Sequence, residues 1–145
     1  VLDNSTTAMT GHQPHPGTGR TVMGEIVQKI NIEQVLRGIG VTEIETINPL
    51  ELEASVSCVK RMAEKSGVRA IIFKAPCIAV TKPKASLHVD QDSCIGCKKC
   101  IRDLGCPAIV MNDGKVCIDA SMCTGCHLCS QVCPVCAIAG GDDHE

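Results

Sequence analysis

The sequence predicts two unlike pieces: a layered α/β segment with a parallel sheet over residues 1–82, and a small α+β segment with little core of its own over residues 86–141. Three observations predict this. Helix-period and strand-period patterns alternate through the first piece. The 12 cysteines are spread unevenly, with all but Cys58 and Cys77 lying between Cys94 and Cys136. The 145 residues also hold one Phe, no Trp and no Tyr, so a large aromatic core cannot be what stabilises the cysteine-rich piece.

The elements follow in chain order. Val1-Leu2-Asp3-Asn4 reads as the end of a buried strand running into a loop, and a chain that opens this way is expected to be the C-terminal part of a longer protein. Asn4 to Arg20 is rich in Thr, Gly, Pro and His and is long for a connection in a compact α/β fold. Such loops are usually functional, and this one leaves the C-terminal end of a strand, the edge where open α/β sheets bind ligands. Asn31 caps a helix carrying Ile32, Val35, Leu36 and Ile39 on one face, with Gly38 or Gly40 to end it. Val41 to Ile47 reads as a strand. Asn48 is a second cap, followed by Pro49 in the first helical position and Glu51 three residues on. The helix it opens would bury Leu52, Val56, Val59 and Ala63 and close at Gly67. Ala70-Ile71-Ile72-Phe73, apolar on both faces, is the signature of a buried parallel strand. About 80 residues of this pattern make half a domain. The two pieces meet near Thr81-Lys82-Pro83-Lys84.

The cysteines form a duplicated motif. Cys94, Cys97 and Cys100 make a CxxCxxC triplet trailed by Cys106-Pro107; Cys123, Cys126 and Cys129 repeat it, trailed by Cys133-Pro134. Two-residue gaps around Gly96 and Gly125 let a tight turn present three thiolates to one face of an iron–sulfur cubane. In the bacterial two-cluster pattern the Cys-Pro cysteine after each triplet serves the other cluster. The spacing therefore assigns Cys94, Cys97, Cys100 and Cys133 to one [4Fe-4S] cluster and Cys123, Cys126, Cys129 and Cys106 to a second, in a bacterial-type 2[4Fe-4S] ferredoxin-like domain. Disulfides belong to oxidising compartments, and structural zinc uses paired CxxC or His ligands, so both stand as the lesser alternatives. Without iron the segment should not fold. Five residues separate Cys100 from Cys106 and three separate Cys129 from Cys133, so the first turn is enlarged and its ligand geometry open to change. Cys136 stands at CxxC spacing from Cys133 and could compete as a ligand. Cys117, in Lys115-Val116-Cys117-Ile118, reads as a small hydrophobe in a strand; Cys58 and Cys77 read as structural, and His127 as a surface residue.

Composition narrows the function. A net charge of −2 and the missing aromatics argue against nucleic-acid binding, no apolar run reaches the length of a membrane span, and no signal peptide opens the chain. A cytoplasmic location is expected. Residues 1–85 carry a slight basic excess and residues 86–145 an acidic one, to which each oxidised cubane would add roughly −2, a lever that lowers reduction potential. Lys98, Lys99 and Arg102 offset this locally. Low potential suits exchange with soluble ferredoxins.

The opening run Val1-Leu2-Asp3-Asn4-Ser5-Thr6-Thr7-Ala8-Met9-Thr10-Gly11-His12-Gln13-Pro14-His15-Pro16-Gly17-Thr18-Gly19, followed by α/β structure and the twin triplets, resembles the C-terminal region of the α subunits of indolepyruvate:ferredoxin oxidoreductases. The resemblance implies that residues 1–82 are the C-terminal part of a thiamine diphosphate-binding domain. In that family an upstream Asp, an Asn side chain and a backbone carbonyl two residues later hold the Mg²⁺ bridging the diphosphate. Asn4 matches the Asn, Thr6 would offer the carbonyl, and Gly11, His12 and Gln13 follow on the substrate side; His12 and Gln13 could equally just shape the loop. The upstream acid is not among these residues, so the chain alone should bind the cofactor poorly. The implied chemistry is CoA-dependent oxidative decarboxylation of a 2-oxo acid such as indolepyruvate, with a β subunit as partner and soluble ferredoxin as electron acceptor. A plain electron-transfer module with a docking domain, and an enzyme for pyruvate or branched 2-oxo acids, are the competing readings.

Overall fold

The structure, a computed structural model, describes residues 1–7, 9 and 11–140; Ala8 and Thr10 of the opening loop, and position 141 at the end of the expected second piece, lie outside them. The chain divides into two compact units between Lys82 and Pro83.

In the first unit the order is β1 (Leu2–Asp3), α1 (Ile32–Gly38), β2 (Glu43–Ile47), α2 (Leu52–Glu64) and β3 (Arg69–Lys74), followed by a single 3-10 turn, Ile78–Val80. The expected alternation of strand and helix is present. β3 lies in the middle of a parallel sheet ordered β1-β3-β2, with Leu2 beside Phe73 on one side and Ile47 beside Phe73 on the other. The Ala70–Phe73 run is thus central, and Ile72 is its buried residue. Asn31 caps α1 as the sequence implies, its side chain accepting the Gln34 N–H at 3.2 Å.

Four expectations need correction here. The second strand begins at Glu43 rather than Val41, because Val41 is buried at the end of α1, its N–H donating to the Leu36 carbonyl at 3.0 Å. Asn48 does not cap α2. Its side-chain oxygen closes a turn on the Leu50 N–H (3.0 Å), and the helix starts three residues later than that cap would place it. The buried stripe of α2 is Ser55, Cys58 and Met62, while Val56 and Val59 stay over 40% exposed. Ser55 can be buried because its hydroxyl donates to the Asn48 carbonyl at 3.0 Å. The apolar face expected for α1 is likewise open, with Val35 50% and Ile39 74% exposed.

The second unit holds β4 (His88–Val89), α3 (Lys99–Leu104), β5 (Ile109–Asn112), β6 (Lys115–Ile118), α4 (Leu128–Val132) and β7 (Ile138–Ala139). β5 and β6 form a hairpin closed by Asp113-Gly114, both at positive φ (48° and 78°), the conformation a two-residue hairpin turn demands. β4 pairs antiparallel with β7, joining the two ends of the unit. α3 packs on α4. The buried residues are small: Leu87, Ala108, Ile109, Val116, Val132, Ala137 and Ile138, with Cys100 and Cys129 among them. So sparse a core agrees with a segment whose stability must come partly from bound metal.

Candidate metal centre

Both cysteine triplets are built in the same way. In each, the Gly between the first two cysteines and the residue after the second are left-handed: Gly96 and Lys98 at φ 65° and 58°, Gly125 and His127 at 67° and 60°. Left-handed backbone turns the chain tightly enough to bring the first two thiols to one side. A short helix then starts and buries the third: Cys100 near the start of α3, Cys129 near the start of α4. A further shared residue escaped the sequence reading. Asp90 lies four residues before Cys94 and Asp119 four before Cys123; each accepts its cysteine's N–H on its backbone carbonyl at 3.0 Å. Their carboxylates also close the same local turn, Asp90 taking the Asp92 N–H (3.0 Å) and Ser93 hydroxyl (2.5 Å), Asp119 the Ser121 N–H (2.8 Å) and hydroxyl (2.6 Å). The signal was available as the identical offset in both repeats.

The halves are tied crosswise. β4, which leads into the first triplet, pairs with β7, which follows Cys133-Pro134; β6, which leads into the second, pairs with β5, which follows Cys106-Pro107. The Asp90 N–H donates to the Ala137 carbonyl and the Asp119 N–H to the Ala108 carbonyl, both at 2.8 Å. In consequence Cys94, Cys97, Cys100 and Cys133 line one recess of about 330 Å³, counted to its open side, whose other walls include Val89, Val116 and Ile138. Cys129 lies close enough to Cys126, Cys123 and Cys106 for each to raise its pKa. The recess thus gathers the four cysteines of one expected set, and the other four lie near one another around Cys129.

Burial, then the facing Cys126 and Cys123, push the Cys129 thiol up to about 11; burial, with Cys97 and Cys133 adding to it, raises Cys100. Clustered thiolates repel one another unless a metal compensates them. Cys123 goes the other way: burial raises it, but hydrogen bonds from the Leu87 and Gly125 amides and the Ser86 hydroxyl more than offset that and leave it below the ordinary thiol value. Cys133 also accepts an amide hydrogen bond, from Ala137 at 3.3 Å. All twelve cysteines are free thiols. A tetrahedral zinc, with bonds of about 2.3 Å, draws its sulfurs closely together. A cubane, whose thiolates each bind a different iron, leaves them apart. An apolar recess edged by four thiols, some stabilised by amide hydrogen bonds, fits that group.

The longer stretch between Cys100 and Cys106 is taken up by helix and a turn. α3 continues to Leu104, and Gly105, left-handed at φ 57°, donates its N–H to the Ile101 carbonyl and turns the chain back. Cys136 is exposed, left-handed at φ 51°, and outside the lining of the first recess. Cys117 is half-buried in β6 opposite Val110. His127 is half-buried, at the left-handed position that starts α4. In the first unit, Cys58 is buried in α2 against Glu45; burial and that carboxylate raise its pKa, so it is an inert thiol. Cys77 lies beyond the end of β3, its N–H donating to the Asn4 carbonyl at 3.0 Å.

The opening loop gathers some of its expected residues. Asn4 and Thr6 meet at the end of β1, where the Asn4 side-chain oxygen accepts the Thr6 N–H at 3.2 Å and Thr6 is buried. Gly11 and His12, left-handed at φ 107° and 62°, turn the chain so that the Gln13 carbonyl accepts the Thr7 N–H at 3.1 Å. Asn4 and Thr6 are two uncharged oxygen donors. The adjacent Asp3 carboxylate is occupied by the Ser5 N–H (3.1 Å) and by Lys74 (3.6 Å). A Mg²⁺ site normally takes one or two carboxylates, which these two residues do not supply.

Residues 86–134 match the family model of the 4Fe-4S dicluster domain. Over nearly its full length the chain is similar to proteins named indolepyruvate oxidoreductase subunit IorA. That of Methanothermobacter thermautotrophicus is 45% identical over 143 residues, 95% of this chain and 23% of that protein. That of Methanothermobacter marburgensis is 41% identical over 140 residues, 95% and 23%, and that of Archaeoglobus fulgidus 38% over 144 residues, again 95% and 23%. The chain therefore spans about a quarter of the length of the curated relatives it matches. No solved structure matches it.

Proposed function

Over the stretch it shares with them, this chain is a member of the family of indolepyruvate oxidoreductase IorA subunits, and on that premise we propose that it carries the electron path of a 2-oxo acid:ferredoxin oxidoreductase. The reaction is CoA-dependent oxidative decarboxylation of an aryl pyruvate, indolepyruvate above all, to an aryl-acetyl-CoA and CO₂. The observation that supports the reading most is the crosswise tie between each cysteine triplet and the other repeat's Cys-Pro.

In this reading Cys94, Cys97, Cys100 and Cys133 hold one [4Fe-4S] cluster and Cys123, Cys126, Cys129 and Cys106 the other, within a ferredoxin-like domain over residues 86–141. The clusters supply one-electron transfer at low potential. The chain's own part is to shape that potential: amide donors to Cys123 and Cys133 stabilise the thiolates, and apolar walls such as Val89, Val116 and Ile138 keep water from the first site. Residues 1–82 are the C-terminal part of a thiamine diphosphate-binding domain, and that cofactor supplies the electron sink for decarboxylation. Asn4 and Thr6 contribute two oxygen donors to its Mg²⁺, Gly11 shapes the loop, and His12 and Gln13 face the substrate side. The missing acid and the rest of the pocket come from upstream residues or from a β subunit, and soluble ferredoxin receives the electrons.

Two measurements test this. Protein prepared without oxygen should hold about eight irons and as many acid-labile sulfides per chain. Full-length protein with its partner subunit should reduce a viologen dye only when both a 2-oxo acid and CoA are present, aryl pyruvates outpacing pyruvate. Zinc in place of iron overturns the metal assignment; iron without 2-oxo-acid-dependent reduction reduces the chain to an electron carrier.

A further inference from the structure

The two triplets share a backbone but not a surrounding. In the first turn Ile95, Gly96, Cys97, Lys98 and Lys99 are all exposed, Ile95 at 65%. In the second the matching Gly125 is buried and Thr124, Cys126, His127 and Leu128 are half-buried. The difference has a physical cover. Lys84 donates its N–H to the Thr124 carbonyl at 3.2 Å, and a Cβ on Gly125 would stand 2.6 Å from the Ala85 carbonyl oxygen. The same position at Gly96 faces open space.

Charge follows exposure. Of the five Lys and Arg between Pro83 and Gly140, three fall at Lys98, Lys99 and Arg102, all exposed. Lys98 borders the recess of Cys94, Cys97, Cys100 and Cys133. The acidic residue of the stretch, Asp103, pairs with Lys99 at 2.6 Å, so the face remains net positive. The second turn has no Lys or Arg between Cys123 and Cys133.

We propose that the face made by Ile95, Cys97, Lys98, Lys99 and Arg102 is the docking surface for a small acidic one-electron carrier protein, and that the cluster held by Cys94, Cys97, Cys100 and Cys133 is the exit. An exposed apolar centre at a thiol ligand, rimmed by cations, is complementary to an acidic partner with its own redox centre near the surface. At each encounter one electron leaves this cluster and reduces the acceptor's oxidised iron–sulfur centre by one; no proton or bond is exchanged. This rests on the iron–sulfur reading above and adds to it a direction and a partner surface.

The test uses the full-length iron-loaded protein with its partner subunit, and an oxidised acidic 2[4Fe-4S] ferredoxin as probe, titrated by calorimetry at low and moderate ionic strength. Lys99→Glu combined with Arg102→Glu should weaken binding roughly tenfold or more and flatten its salt dependence. Lys115→Glu, in β6 of the same unit, should leave affinity within about twofold. Iron content and 2-oxo-acid-dependent viologen reduction should stay at wild-type level. With unaltered protein, bound ferredoxin should also protect Lys98 and Lys99 from acetylation, a readout that needs no variant to fold. Unprotected lysines, or an affinity indifferent to the double change, overturn the docking surface even when viologen reduction is intact. Loss of viologen reduction in the unaltered protein falls on the proposed function instead.

Discussion

The first and second cysteine triplets follow one local plan, down to the left-handed residues in the turn and the aspartate that starts it, yet one turn lies open and the other under Lys84–Ala85. Ligand spacing sets the loop that grips a metal; the segments that pass over the loop set its environment. Two sites of the same construction can thus do different work.

The largest effect should come from breaking the crosswise tie. Cys133→Ser is expected to strip iron from the first triplet, leaving Cys94, Cys97 and Cys100 open to alkylation, whereas Cys106→Ser should expose Cys123, Cys126 and Cys129. About half the iron remains in each case if the other site holds. Mass spectrometry of alkylated peptides reads the pattern directly, and the reverse pattern would undo the assignment. Next in size is the glycine pair. Gly125→Ala drives a methyl into backbone at a left-handed position and should cost roughly 3 kcal/mol or more; Gly96→Ala, with open space beside it, should cost about 1–2 kcal/mol. Anaerobic denaturant unfolding measures both, and equal losses would remove the distinction between covered and open turns. A smaller difference should appear under a chelator, which should take iron from the open first site before the second; simultaneous loss would show that the cover does not protect.

The smallest effect should be common to both halves. Hydrogen bonds from the Ser93 hydroxyl and Asp92 amide hold the Asp90 carboxyl below the usual range, and the Ser121 hydroxyl and amide do the same for Asp119. A depressed folded pKa gives stability that is present above the ordinary Asp value, about 3.9, and lost as pH falls through the folded value. Asp90→Asn and Asp119→Asn should each flatten the acid limb of the stability profile slightly and to a similar extent. A large effect in one half only would mean the shared turn is not equivalent in the two.

How much of this was legible in the sequence differs by feature. The two sets of four cysteines follow from spacing, because the loop that carries them is short and its geometry is local. The Asp90 and Asp119 turns are equally local, marked in the sequence by an aspartate four residues before the first thiol of each triplet. Asn31 caps its helix as expected, while Asn48 does not, because its side chain finds the Leu50 amide first. The buried face of α2 was misread for a tertiary reason: both Val56/Val59 and Cys58/Met62 follow helical spacing, and only the sheet decides which is covered. The cover over Gly125 is of the same kind, a contact between segments about forty residues apart that no periodicity encodes.

The two small sheets of the second unit also differ in how far the chain must travel to make them. β5 and β6 meet across a two-residue turn, whereas β4 must wait for β7, some fifty residues later. On a ribosome the hairpin can close as soon as it emerges, but the strand made first is paired only when nearly the whole segment has been synthesised. Since a contact of long sequence separation forms slowly, maturation of the unit should run from its middle outwards, with the earliest-made triplet the last to be closed.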